Sequence, residues 1–106
     1  MFFELRQYRI KSGQRAKWVA LMEEKIIHFH VSQGVVVVGS FVSTEQEDLY
    51  VWMRRFESEE ELKRFTNEVS QNGHWQSEIR PHIDEMLDRP AMQVTRLEAT
   101  PKSVLR

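Results

Sequence analysis

Guanidinium groups stand inside the two stretches of this chain that otherwise read most plainly as strands, Phe2-Phe3-Glu4-Leu5-Arg6-Gln7-Tyr8-Arg9-Ile10 and Val51-Trp52-Met53-Arg54-Arg55-Phe56. A guanidinium is a planar fork of donors that stays charged at every physiological pH and grips carboxylates two bonds at a time. Alternation along a strand puts Glu4, Arg6 and Tyr8 on one face and Phe3, Leu5 and Gln7 on the other. The same rule sets Tyr50, Trp52 and Arg54 against Val51 and Met53. Arg6 and Arg54 then share an environment rich in aromatic rings, and each needs an acceptor there. Two chemistries satisfy that need. One is an ion-pair network in which Glu4 and a carboxylate from a partner subunit serve as acceptors. The other is an anion site, in which the arginines hold a ligand carboxylate while Tyr8, Tyr50 and Trp52 touch an aromatic or apolar body.

Other reactive types are sparse or badly spaced. The 106 residues contain no cysteine, so thiolate nucleophiles and cysteine-ligated metals are excluded and the expected compartment is a reducing cytoplasm. His28 and His30 lie two helical positions apart, about 200° around the axis, and diverge too far to chelate one ion. No metal site and no cofactor are expected. His82 falls near Ile79 and Met86 on the apolar side of a helix, where a core imidazole with one hydrogen-bond partner competes with a catalytic role. There is no glycine-rich phosphate loop and no serine in a nucleophile elbow. With 15 Lys plus Arg against 16 Asp plus Glu, the net charge of -1 creates no field that recommends nucleic acid as a partner. No apolar run approaches the roughly 20 residues that cross a bilayer, and the first residues lack the pattern of a cleaved leader, so no membrane insertion is expected.

The elements that must position these groups follow from periodicity. Phe2 to Ile10 is a strand that Lys11-Ser12-Gly13 interrupts. From Gln14 to about Gln33, Trp18, Met22, Ile26 and Phe29 recur at helical spacing, and Gly34 supplies a stop. The β-branched run Val35 to Thr44 is a second strand, and the polar turn Glu45 to Asp48 leads into the third at VWMRRF. Ser58 with Glu61 three residues later spells a capping box, and Glu59 with Lys63 and Glu60 with Arg64 form pairs on a solvated helix face. Leu62, Phe65 and Val69 supply the buried stripe of that helix. After Asn72-Gly73 a second stripe, Trp75, Ile79, Ile83 and Met86, marks another helix that Pro81 must kink or restart. A last strand spans about Ala91 to Ala99. Residues 1–100 form one domain and 101–106 a tail.

The order βαββαβ, with short connections and right-handed crossovers, points to an α+β, ferredoxin-like sandwich: a four-stranded antiparallel sheet with helices on one face and strands one and three at its centre. The other face lacks a cover, and the edge strand from Val35 to Val42 is apolar. A homodimer in which two bare faces enclose a shared interior removes both liabilities. In that arrangement Phe3, Leu5, Gln7, Val51 and Met53 lie under the helices, and Glu4, Arg6, Tyr8, Trp52 and Arg54 face the shared interior.

Glu4-Leu5-Arg6-x-Tyr8, Lys11-x-Gly13, VWMRRFES at 51 to 58, Trp75 and Arg80-Pro81, taken in order, resemble the NIPSNAP family within the dimeric α/β-barrel superfamily, over about Phe3 to Leu97. The resemblance implies a homodimer of ferredoxin-like subunits whose sheets build a barrel, and for most members no established reaction. Relatives in the superfamily include cofactor-independent quinol monooxygenases, haem-degrading monooxygenases and muconolactone isomerase-like enzymes. The haem-degrading members use an Asn, a Trp and a His in their cleft. Here Gln7 stands in place of the Asn and no residue-by-residue match exists for the rest, so haem chemistry is not carried over. Two function classes remain: a small-molecule-binding or interaction domain without its own chemistry, and a cofactor-independent monooxygenase or isomerase acting on an aromatic or quinone-like substrate. Arg6, Gln7, Tyr8, Trp18, Trp52, Arg54 and His82 are the candidate ligand-binding residues for a small aromatic or carboxylate ligand.

Overall fold

The computed structural model describes residues 1–106. Strand β1 (Phe2–Arg9) leads to a long helix α1, built from an α-helical segment Arg15–Leu21, a π-helical segment Met22–Ile26 and a further α-helical segment Ile27–Ser32. Strands β2 (Val36–Val42) and β3 (Leu49–Phe56) form a hairpin. Helix α2 (Glu59–Gln71) is followed by α3, whose π-helical start Trp75–Ile79 continues as α-helix Arg80–Met86. A 3-10 turn Arg89–Ala91 delivers the chain to β4 (Gln93–Leu97). The sheet order is β2-β3-β1-β4 with every pair antiparallel, which is the ferredoxin-like arrangement with β1 and β3 at its centre.

Local signals account for the element ends. At Gly34, φ is +82°, and the Val35 amide reaches back to the His30 carbonyl at 2.9 Å, closing α1 with a left-handed glycine. Ser58 Oγ accepts from the Glu61 amide at 3.2 Å and caps α2. Asn72 Oδ1 does the same for the Trp75 amide at 2.8 Å at the start of α3. Pro81 restarts that helix, sitting in the first turn of its α-helical part, where a missing amide hydrogen costs nothing. The i, i+4 pairs expected on α2 are not made. Glu59 instead pairs with Arg96 of β4, and Arg64 donates to the Gln33 carbonyl at 3.3 Å, so that Arg96 and Gln33, both outside the helix, pin α2 to the fold.

The helices cover one face of the sheet, and it is the face opposite to the one expected. Tyr8, Tyr50 and Trp52 pack with Trp18, Met22 and Trp75 in the main core, and Phe2 and Phe56 join Val35 and Phe65 in a smaller one. Glu4, Arg6 and Arg54 therefore lie under the helices, while Leu5, Gln7, Val51 and Met53 lie on the open face. The reason is volume. Alternation reveals which residues share a face but not which face is covered, and the deep space between helices and sheet needs the large rings. Gln7 is corrected with the rest: it points away from the helices and bonds Gln93 across the strand pair at 3.5 Å.

Candidate functional site

Helix α1 positions the cleft wall through an unusual periodicity. Trp18, Met22, Ile26 and His30 repeat at a strict spacing of four and are all buried. An α-helix at 3.6 residues per turn would drift such a row by about 40° per step, roughly 120° from Trp18 to His30. The π-helical turn Met22–Ile26 winds wider and cancels much of that drift, so the four side chains fall on one face toward the sheet. His30 thereby takes the core place expected of Phe29, which is only half-buried. His28 is exposed, and no three His, Asp or Glu side chains come together as a metal-binding group.

Beneath this row, β1 and β3 supply a charged cluster. Glu4 faces Arg54 and Arg96 in register, and Arg6 faces Trp52. One oxygen, Glu4 Oε1, accepts from Arg54 Nε at 2.8 Å and from Arg6 Nη1 at 3.1 Å, and it lies 2.8 Å from Arg54 Nη2. The remaining nitrogen of Arg54, Nη1, is 2.9 Å from His30 Nε2. His30 Nδ1 is 2.7 Å from the Ile26 carbonyl, which can only accept, so Nδ1 carries the proton and Nε2 offers its lone pair to Arg54. Burial holds His30 neutral, pushing its pKa down to about 3; the Ile26 hydrogen bond opposes this, and the nearby positive charges of Arg54 and Arg6 add to it. Burial foremost, then repulsion by Arg6, lowers Arg54 below its ordinary value, against the pull of Glu4. Arg54 is also ringed by π faces, with its guanidinium carbon 5.7 Å from the Trp52 centroid, 5.0 Å from Phe56 and 5.6 Å from Phe65. Its donors and its faces are both occupied.

Arg6 is different. Burial works against its charge, but contact with Tyr8 and Glu4 outweighs this and raises its pKa. Its Nε donates to Tyr8 Oη at 2.7 Å and its Nη1 to Glu4, but Nη2 meets only the thioether Sδ of Met92 at 3.5 Å. A thioether is a weak acceptor, so one edge of this half-buried guanidinium has no good acceptor in the protein. Two cations against one carboxylate leave a net positive charge in the cluster.

Between the cluster and the helices runs a cavity of about 320 Å³, bordered by Arg6, Tyr8, Trp52 and Arg54 at the sheet side, by Trp18 and His30 of α1, and by Phe65, Val69, Trp75 and Ile83 under α2 and α3. At roughly 30 Å³ per water it has room for about ten waters, the lower end of small-ligand sites. All three tryptophans of the chain border it, and the indole nitrogens of Trp18 and Trp52 are buried without an acceptor in the protein. Of the residues singled out from the sequence, Arg6, Tyr8, Trp18, Trp52 and Arg54 come together here. Gln7 does not, for the reason given above. His82 does not either: it is exposed on α3 and lies 3.8 Å from Glu85, because it stands at the edge of the stripe formed by Ile79, Ile83 and Met86, about 100° around the helix from Ile83. His30 and Met92 belong to the site and were not among those candidates; the four-residue repeat from Trp18 was the available signal for His30, and Met92 had none.

The comparisons agree with this architecture. The NIPSNAP family profile matches residues 3–100. Among solved structures, the chain is similar to a NIPSNAP family protein from Agrobacterium tumefaciens strain C58, with 21% identity, a TM-score of 0.87 and coverage of 99% of this chain and 98% of that one. It is also similar to a NIPSNAP family protein with unknown function from the same strain, with 22% identity, a TM-score of 0.88 and coverage of 100% and 94%. A putative antibiotic biosynthesis monooxygenase from Nitrosomonas europaea shares the fold at 8% identity, a TM-score of 0.71 and coverage of 93% and 98%. No curated protein matches the sequence. The order ELRxY, KxG, VWMRRFES and Trp75 followed by Arg80-Pro81, the sheet order and a family match over nearly the whole chain converge on one assignment: this chain belongs to the NIPSNAP family.

Proposed function

We propose that the chain binds a small organic monoanion with an aromatic or otherwise apolar body in the cleft between sheet and helices, anchored on Arg6. The observation that carries this reading is the incomplete pairing of Arg6, whose Nη2 faces a sulfur while the only nearby carboxylate is already shared with Arg54. A ligand carboxylate at that edge would supply the missing acceptor and neutralise the excess charge. Arg54 is a positioning residue in this reading: it holds Glu4, which orients Arg6. The test is a titration with 2-naphthoate followed by tryptophan fluorescence, with the neutral alcohol of the same ring system as control. Naphthoate binds and the alcohol binds much more weakly; Arg6→Gln weakens naphthoate binding by roughly ten- to a hundredfold, the range of a charge-assisted hydrogen bond. Equal binding of acid and alcohol overturns the anion site.

Chemistry on the bound ligand, of the oxygenase or isomerase kind, is the second reading, and one observation favours it. Tyr8 Oη accepts from Arg6 Nε, so its own proton is free to be shared with a ligand oxygen in the cavity. His30 cannot be the base, since both its nitrogens are engaged.

The same proposal includes a homodimer formed through the open face and a cytoplasmic location. Phe41 and Val36 on the open face are 61% and 48% exposed, beside half-buried Leu5, Val51 and Met53. No helix is long and apolar enough to cross a membrane.

A further inference from the structure

Met92 follows the 3-10 turn Arg89–Ala91 and directs its side chain back to the cavity wall beside Arg6. It is only half-buried, whereas Met22 and Met86 are 1% and 8% exposed in the core. Its sulfur stands where the nearly unsatisfied edge of Arg6 needs an oxygen. We propose that Met92 is an oxidation site, and that its sulfoxide plugs the anion site. A hydroperoxide delivers one oxygen atom to the sulfur: the peroxide O–O bond breaks, an S=O bond forms, the sulfur loses two electrons, and the peroxide leaves as the alcohol or, from hydrogen peroxide, as water. The thioether is a poor acceptor, but the sulfoxide oxygen is a strongly polar one. Methionine has three rotatable bonds, and a modest rotation lays that oxygen on Arg6 Nη2, in the position the ligand carboxylate would take. Reduction of the sulfoxide restores the thioether and reopens the site.

The closing of the site rests on the reading of Arg6 as the anion anchor; the oxidation and the new bond do not. The experiment exposes the protein to graded hydrogen peroxide, maps methionine sulfoxide by peptide mass spectrometry, and titrates 2-naphthoate at each stage. Met92 is oxidised before Met22 and Met86, naphthoate affinity falls at least tenfold in step with it, and methionine sulfoxide reductase restores the affinity. In Met92→Leu, whatever its starting affinity, peroxide changes that affinity less than twofold. A map in which Met92 stays a thioether while the core methionines oxidise overturns the proposal, as does an equal loss of affinity in Met92→Leu. If the untreated protein does not bind naphthoate at all, the anion site itself has failed, and melting then decides whether the sulfoxide bonds Arg6. A rise in Tm on oxidation that becomes a fall in Arg6→Gln supports the bond; the same shift in both proteins overturns it.

Discussion

The two faces of the sheet invert the usual placing of polar and apolar groups. Under the helices, around the cavity, lie Glu4, Arg6 and Arg54; on the open side lie Leu5, Phe41, Val51 and Met53. The covered charges persist because they satisfy one another through Glu4 Oε1, His30 and Tyr8 and because aromatic rings fill the volume around them. The exposed apolar residues fit the proposed homodimer, in which a second copy would cover the sheet face that no helix covers. In this protein hydropathy alone marks neither face.

That contrast predicts different failures on the two sides. The largest is expected from Glu4→Gln, which leaves two buried guanidiniums without a counter-charge: stability should fall by about 3–5 kcal/mol in urea denaturation. A loss below about 1 kcal/mol would mean that the arginines escape to water and the covered face is not charge-tight. Acid attacks the same face through His30. Its folded pKa of about 3 lies below the ordinary 6.5, so at pH above 6.5 both folded and unfolded chains are neutral there and nothing is lost. As pH falls through 6.5 the unfolded chain takes up the proton and the folded one does not, so stability declines progressively toward pH 3. Between pH 6.5 and 5 the loss is about 1.5 kcal/mol, and this component should be absent from His30→Asn, read as the slope of urea midpoint against pH. On the open face, Phe41→Glu should shift sedimentation from dimer to monomer while the monomer's own stability changes by about 0.5 kcal/mol or less. If Phe41→Glu instead unfolds the chain, the open face is part of the core and the contrast collapses.

Much of the frame was legible because it depends on local chemistry. The spacing of Trp18, Met22 and Ile26, the β-branched run before Gly39, Ser58 with Glu61, and the position of Pro81 each announce an element or its boundary without reference to the rest of the chain. The gathering of Arg6, Tyr8, Trp52 and Arg54 on one face was legible for the same reason, since alternation is local. What covers that face is not local. It depends on the volume between two helices and a sheet, and charges that look unsuited to a covered face are tolerated once partners fifty residues away complete them. His30 was hidden by the assumption of regular α-helical pitch, which assigns the fourth core position to Phe29. His82 was misplaced for another reason: it lies in the regular part of α3, Arg80–Met86, at the edge of the apolar stripe, where spacing alone does not separate covered from exposed. The β2 register also shifts between Val37 and Gly39, and Phe41 folds over Gly39, where a Cβ would meet its ring at 2.5 Å and displace that exposed side chain.

The wide turn Met22–Ile26 gives helix α1 something like a reading frame. Tightening it to ordinary winding at unchanged length would turn everything downstream by about 100°. Phe29 would then take the sheet-facing place, the imidazole would leave Arg54, and the helix would be more regular than before while the cluster beneath it lost its roof. Removing one residue at the same time, Glu24 for instance, would bring His30 back to within about 20° of Trp18, so in this segment phase is set by length and winding together.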